Sequence, residues 1–426
     1  MSKLTKLIKD PRQFFEDAKI KKLVGKNNRA DADLKKAKKS FSNGDLVTAQ
    51  EQLGSISDLS ACKHLLATRI LLFLKDYLQA SASARLAMQL AHVKSSDFRE
   101  AFYLHQEALR LNNQHEQASS MLESMPFADK SARYYRALRL SALALNNPAL
   151  FEKELIKVKH FHPQWLRANN NYLLLLRDSG KHQQALRHAE FMLQVERSGP
   201  TAEKTKQPPI KTDEDKKAWQ KRAGLALQQL QQDLSAWNIR FFLVSGTLLG
   251  CVREGSILGH DTDIDVGIMP EVSMEALKQA VHASSRFRML DIKSEHTLYL
   301  VHTSGVKIDV FRHYRENNRF YHEGIKCRWW NSQFELSETE FLGDKYLMPA
   351  NPDKYLTENY GDWRTPVHDF ATFLDTPNME TTHTANMALY LFTQAIAAHK
   401  KNEQEKYLRY HQAAKELLMK DITPNV

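Results

Sequence analysis

Between residues 30 and 197 apolar side chains return every three or four positions, and no stretch alternates strictly between apolar and polar. That period lays one apolar stripe along a helix, so the segment reads as helix after helix. Breaks fall at Asn43-Gly44-Asp45, Lys75-Asp76-Tyr77, Asn112-Asn113, Asn146-Asn147-Pro148 and Ser179-Gly180-Lys181. Residues 198–214 carry Pro200, Pro208, Pro209 and scattered charge, which predicts a linker. Beyond it the pattern changes. A helix is expected from Lys216 to about Trp237, with Trp219, Ala223, Leu227, Leu230 and Leu234 on one face. Strand-like segments then follow at Phe241–Val244, Ile264–Ile268, Thr297–His302 and Val306–Phe311, with a helical piece at Ser273–Ser284. Mixed elements of this kind predict an α/β (α+β) domain. After Thr382 the pattern is helical again.

The helical breaks are about 30–37 residues apart, near the 34 of a tetratricopeptide unit. Ala/Leu-rich pieces follow most of them, as at Thr48-Ala49, Gln79-Ala80, Gln117-Ala118 and Gln184-Ala185-Leu186. The resemblance implies stacked helical hairpins with one continuous core. Such a stack commonly docks protein partners; a spacer or a dimerisation domain fits the same pattern. The expected organisation is therefore multidomain. A basic amphipathic segment (1–29) leads into an all-α helical-repeat domain, tetratricopeptide-like, over 30–197. A linker (198–214), an α/β domain (215–378) and C-terminal helices (379–426) follow.

Charge adds a constraint. The 426 residues carry a formal charge of +10, which suits an anionic partner: nucleic acid, lipid surface or phosphorylated substrate. Part of the excess lies in residues 1–29, where Lys3, Lys6, Lys9, Lys19, Lys21 and Lys22 alternate with Leu4, Leu7, Ile8, Phe14, Phe15 and Ile20. This segment suits either the surface of an anionic leaflet or packing on the next domain, with Pro11 dividing it. No apolar run approaches the 18 or so residues of a membrane span, and Met1 to Lys26 has no apolar signal-peptide region. Three distant cysteines (Cys62, Cys251, Cys327) make neither a disulfide framework nor a zinc site. They point to a reducing cytosol, and Cys251 and Cys327 read as small buried hydrophobes.

The chemistry lies in the α/β domain. Ser245-Gly246-Thr247-Leu248-Leu249-Gly250 follows a strand and opens a helix, a turn whose backbone N–H groups suit phosphate. Further on stands His260-Asp261-Thr262-Asp263-Ile264-Asp265-Val266. Residues two apart on a strand share a face, so Asp263 and Asp265 point the same way, with Asp261 just ahead of them. Packed carboxylates repel unless a cation neutralises them, and hard oxygen ligands suit Mg²⁺ or Mn²⁺. An EF-hand loop is excluded, because its sixth position is Val266 rather than Gly and its twelfth Val272 rather than Glu. Asp309, in Val306-Lys307-Ile308-Asp309-Val310-Phe311, is an acid in an otherwise apolar strand. Beside the Asp263/Asp265 strand it would complete a three-carboxylate set for metal-assisted phosphoryl or nucleotidyl transfer. Lys307 and Arg312 suit either phosphate or a solvated salt bridge. His260 suits a supporting role beside the acids, Trp329-Trp330 either a stacking platform or core, and Tyr360-Gly361-Asp362-Trp363 a structural turn.

In order, Ser-Gly-Thr-Leu-Leu-Gly-Cys-Val-Arg (245–253), Asp-Thr-Asp-Ile-Asp (261–265) and Ile-Asp-Val-Phe (308–311) resemble the LicD/fukutin family of phosphotransferases, of the nucleotidyltransferase-fold superfamily. Phe341-Leu342-Gly343, Met348-Pro349, Tyr355-Leu356 and Tyr360-Gly361-Asp362-Trp363 extend the likeness, which covers about 216–370. The resemblance implies transfer of a phospho-alcohol from a CDP-linked donor to a glycan or lipid-linked saccharide hydroxyl. It implies that Gly246 and Thr247 contact phosphate with Arg253 behind them, and that Asp263, Asp265 and Asp309 hold the metal. Gly259-His260 and Thr262 depart from the family's Pro-Trp and unbroken acidic run. The implied setting is bacterial surface-glycan assembly at the cytoplasmic membrane face, with no nucleic acid partner. Two other readings use the same residues: a nucleotidyltransferase releasing pyrophosphate, and a helical scaffold with a degenerate transferase domain.

Overall fold

A computed structural model of the chain describes residues 28–125, 130–160, 162–198, 212–367 and 369–422. All but the last two residues of the 1–29 segment lie outside the described residues, as does 199–211 of the linker. The chain divides at Gly180/Lys181 into two units.

In the first unit the sequence breaks are helix caps. Asp45, Ser60, Asp76 and Ser95 each accept a hydrogen bond from the backbone N–H three residues on. They start helices Leu46–Gly54, Ala61–Phe73, Tyr77–Leu90 and Ser96–Leu111. These side chains satisfy donors that a helix start leaves unpaired. Lys75, Asn113 and Asn146 take the left-handed conformation that stops a helix, with φ of 61°, 59° and 47°. The helices continue to Trp165–Asp178. Their stripes meet in one core that includes Leu72, Ala84, Phe98, Phe102, Tyr134, Tyr135, Phe151 and Leu175.

The helix His182–Ser198, grouped with the repeat by its periodicity, belongs to the second unit. It buries Ala185, Leu186, Ala189, Met192 and Leu193, and its Glu196 pairs with Lys400 of the helix Thr384–Lys400 at 3.2 Å. The expected helix after the linker is Asp213–Ser235, started by a capping box in which Thr212 and Asp215 bond reciprocally.

A ten-stranded sheet follows: β1 (Phe241–Leu243), β2 (Asp263–Ile268), β3 (Phe287–Met289), β4 (Thr297–His302), β5 (Lys307–Glu316), β6 (Arg319–Glu323), β7 (Cys327–Ser332), β8 (Leu336–Phe341), β9 (Asp344–Pro349) and β10 (Met379–Thr381). The order is β10-β7-β6-β5-β2-β1-β9-β8, with β4 also on β5 and β3 on β4. β5 is the hinge of this arrangement. Its first half runs parallel to β2, and its second half turns back through the hairpin with β6. Ile264, Val266, Ile268, Ile308 and Val310 are all fully buried, in one core with Leu227, Leu230 and Leu277. The acids between them on β2 and β5 face the other way, as strand alternation requires.

Strands β6 to β10 are not marked by apolar alternation. Arg319-Phe320-Tyr321-His322-Glu323 and Leu336-Ser337-Glu338-Thr339-Glu340-Phe341 carry polar residues on faces that a simple pattern expects to be apolar. They form through hairpin turns at Asn317-Asn318 and Leu342-Gly343, whose φ values are all positive.

Candidate active site

The site forms where β1 turns into the helix Ser245–Glu254 beside the start of β2. Two hydrogen bonds lock these elements together. The Gly246 amide donates to Asp265 Oδ2 at 3.2 Å, and the Asp265 amide donates to Thr247 Oγ1 at 2.8 Å. The positive helix end thus faces a carboxylate of the protein itself. Ser245 sits at φ 47°, a sparsely populated conformation for a residue with a side chain. Gly246 has no room for one: a Cβ there would stand 2.8 Å from Asp261 Oδ2 and 3.4 Å from Asp265 Oδ2. Asp261 and Asp265 therefore flank the first turn of the helix. The parallel register of β2 and β5 sets Asp265 beside Asp309 and Asp263 beside Lys307.

Burial and crowding raise the proton affinity of Asp265 and Asp309. Burial pushes Asp265 well above the usual carboxylate range, and Asp263, Asp309 and Asp261 push it further. Asp309 is pushed up to about 7, first by burial and then by Asp263, while Lys307 pulls it back. The phenol of Tyr360 is raised by burial and then by Asp265 and Asp261, so it stays protonated near them. Among the described residues no three His, Cys, Asp or Glu side chains are already gathered as a metal cage. What fits a hard divalent cation is the chemistry of the donor set, crowded carboxylates that a cation would neutralise.

These residues open into a cleft of about 320 Å³. Ser245, Gly246, Asp261, Asp263 and Asp265 form its floor. Its walls are largely aromatic: Phe311, His322, Trp329, Tyr360 and Phe373. Successive cross-strand pairs on β5, β6 and β7 set His313 beside His322 and His322 beside Trp329. The ring centroids are 4.8 and 5.1 Å apart, and the second pair is stacked at 18°. Tyr360 ends the helix Pro352–Tyr360, and Phe373 belongs to the turn Thr372–Asp375.

The residues singled out from sequence divide accordingly. Ser245, Gly246, Asp263 and Asp265 line the cleft, and Asp309 stands in register beside Asp265. Thr247 is buried and orients Asp265. Arg253 lies outside the lining, where it donates to the Trp363 carbonyl at 3.2 Å and meets Glu254 at 3.2 Å. Lys307 is exposed and is not part of the lining. Arg312 donates to the Pro270 carbonyl at 3.0 Å. His260 is exposed. Of the tryptophan pair, Trp329 lines the cleft, while Trp330 faces away and donates to Glu380 at 2.7 Å. Cys327 is buried and Cys251 half-buried; burial pushes their thiols up to about 12 and about 11, so both are poor nucleophiles. Phe311, His322, Tyr360 and Phe373 were not singled out as site residues by sequence. Their signal is long-range: only the hairpin β5–β6–β7 and the turn after residue 360 bring them to the acids.

Residues 238–351 match the family LicD/FKTN/FKRP, nucleotidyltransferase domain. The ribitol-5-phosphate transferase FKTN of Mus musculus is 26% identical over 178 residues, 39% of this chain and 38% of the relative. The Homo sapiens protein of the same name is 28% identical over 173 residues, 38% of each. A protein of Rickettsia typhi is 28% identical over 151 residues, 33% of this chain and 48% of the relative. The chain thus spans a little over a third of the FKTN proteins it matches, 38% of their length. The matched segment runs from just before β1 to just past β9 and contains Asp261, Asp263, Asp265 and Asp309, so the similarity covers the strands that carry the cleft's acids.

Proposed function

We propose that the second unit is a phosphotransferase that moves a phospho-alcohol from a CDP-linked donor to a glycan hydroxyl. One observation carries this reading: Asp263, Asp265 and Asp309 are crowded beside a small cleft with aromatic walls, inside the LicD-matching segment. Ribitol phosphate is the first alcohol to test, because the FKTN relatives are ribitol-5-phosphate transferases; glycerol phosphate and phosphocholine follow. Asp263, Asp265 and Asp309 would hold Mg²⁺ or Mn²⁺, which supplies charge neutralisation for the donor phosphates. The acceptor hydroxyl oxygen attacks the phosphorus that bears the alcohol. The bond from that phosphorus to the CMP oxygen breaks, and CMP leaves with the bonding pair. The hydroxyl proton passes to a carboxylate, and Asp309, in register beside Asp265, is the one we assign to take it. The Gly246 amide and the Thr247 hydroxyl keep Asp265 oriented throughout.

The glycan product belongs, in this reading, to a bacterial surface polysaccharide such as a capsule. Among the described residues no helix is long and apolar enough to cross a membrane. The basic segment 1–29 is the part we assign to an anionic membrane face in the cytoplasm. Protein partners fall to the helical unit, which holds an apolar groove of about 690 Å³ lined by Leu78, Met88, Phe98, Phe102 and Met121.

The test is CMP release from CDP-ribitol, CDP-glycerol and CDP-choline, each with Mg²⁺ and with or without a membrane glycan extract. Glycan-dependent CMP from one donor, lost with EDTA, is the expected result. Pyrophosphate from a nucleoside triphosphate instead would move the protein to the nucleotidyltransferases. Neither product would leave the scaffold reading.

A further inference from the structure

The β5–β6–β7 hairpins carry an aromatic ladder on each face. On the outer face Tyr314, Tyr321 and Trp330 are cross-strand neighbours, with centroids 5.1 and 4.9 Å apart. Its polar groups are partnered. The Tyr314 hydroxyl meets His296 Nδ1 at 2.8 Å, the Trp330 indole donates to Glu380, and Arg328 sits over Tyr321 while bonding Glu323 at 3.0 Å. On the inner face the ladder is His313, His322 and Trp329, and two of its ring nitrogens are not satisfied. His322 is 2% exposed, and its Nδ1 is buried with no hydrogen-bond partner. His313 Nε2 is in the same state. An unpartnered buried polar atom costs about 1–3 kcal/mol, so such an atom in a folded protein needs an explanation.

His322, unlike His313, also lines the cleft. With Nδ1 turned into the protein, Nε2 is the ring nitrogen left to meet a ligand. The ring is held by its stack on Trp329 and by an edge contact to Phe311, at centroids 5.1 and 5.0 Å. Burial and the neighbouring His313 keep it neutral, so it offers a hydrogen bond without a charge. A neutral imidazole is poorly suited to hold phosphate, and the acids of the floor repel phosphate unless a cation intervenes. The cleft therefore combines a floor of carboxylates with aromatic walls that include one uncharged polar side chain. A nucleotide has the same two halves, since flat heteroaromatic bases stack on aromatic side chains and present hydrogen-bonding edges.

We propose that the aromatic wall of the cleft receives the nucleobase of the donor and that His322 reads it through its cleft-facing ring nitrogen. This deepens the phosphotransferase reading and rests on it. His322 is then a specificity-determining residue that touches the base rather than the reacting phosphorus.

The test measures binding by calorimetry, with the full chain and Mg²⁺, of CDP, cytidine and inorganic pyrophosphate. His322→Phe keeps the ring stack and removes both nitrogens; His322→Gln keeps hydrogen-bonding capacity. His322→Phe is expected to weaken CDP and cytidine at least about tenfold, one hydrogen bond's worth of discrimination. Pyrophosphate affinity should be unchanged and the melting temperature equal or higher, since a buried unsatisfied nitrogen is gone. His322→Gln should recover part of the loss, and it carries the test should the Phe variant misfold. CDP binding within twofold of wild type in both variants overturns the proposal. So does an equal loss of pyrophosphate binding, which would put His322 at the phosphates. Failure of the wild type to bind any nucleoside diphosphate overturns the donor reading itself, and the base contact with it.

Discussion

The two faces of the β5–β6–β7 hairpins share one backbone register and differ in what their side chains have left over. The outer ladder of Tyr314, Tyr321 and Trp330 is braced by arginines, with Arg319 and Arg328 over the rings and Glu323 and Glu380 taking the polar bonds. It behaves as cross-strand packing does on any half-exposed sheet. The inner ladder of His313, His322 and Trp329 is better buried and less satisfied. It also ends at a floor of carboxylates where burial and neighbouring acids raise the proton affinity of Asp265. Aromatic density therefore does not distinguish a site from a scaffold here. The distinguishing feature is buried polar capacity that the fold does not use.

The sharpest way to break this comparison is at the floor. Asp265→Asn should lower CMP release by at least about a thousandfold, since it alters the carboxylate held by Gly246 and removes a proposed metal ligand. Circular dichroism should be unchanged. Residual turnover within tenfold of wild type would place the chemistry elsewhere. Next is the inner wall. Trp329→Ala empties a packed position between His322, Phe311 and Phe373 and should cost about 3–5 kcal/mol in denaturant unfolding.

A smaller and more diagnostic effect comes from pH. With its pKa raised from 3.8 to about 7, the folded chain keeps the Asp309 proton where the unfolded chain has lost it. The stability contribution of Asp309 therefore falls as pH rises through that window and stays low above it. His302 and His313, held down to about 4, act in the opposite sense between about 4 and 6.5. Comparison with Asp309→Asn isolates the carboxylate. Without metal, the variant should melt higher than wild type, with a gap that opens between pH 4 and 7, and Mg²⁺ should narrow it at pH 8. A gap independent of pH would mean that Asp309 is not strained by its neighbours. The smallest effect belongs to the outer ladder: Trp330→Ala should cost only about 1 kcal/mol and leave CMP release unchanged.

What could be read from the sequence follows from the range of the interactions involved. Helix starts at Asp45 and Asp76 are local, so the breaks were visible as capping residues. The acids of β2 and β5 were visible because an aspartate two residues from another, between buried isoleucines and valines, breaks the pattern at known positions. Asp261 stood in the quoted motif, but its approach to Gly246 depends on how the loop folds back. Strands β6 and β7 were not visible, because His322 and Asn331 are buried polar residues where alternation expects apolar ones. Their burial is decided by pairing with β5, which periodicity does not encode. The turn Asn317-Asn318 was the local clue to that hairpin. The helix His182–Ser198 shows the converse limit: its period matches the repeat, while its apolar face packs in the second unit.

The most direct test of the account is an experimental structure of the full chain with CDP and Mn²⁺. The account predicts manganese among Asp263, Asp265 and Asp309, the phosphates over Gly246, and the cytosine ring at the inner ladder with its edge on His322. Cytosine on the outer ladder, or manganese away from these aspartates, would contradict it.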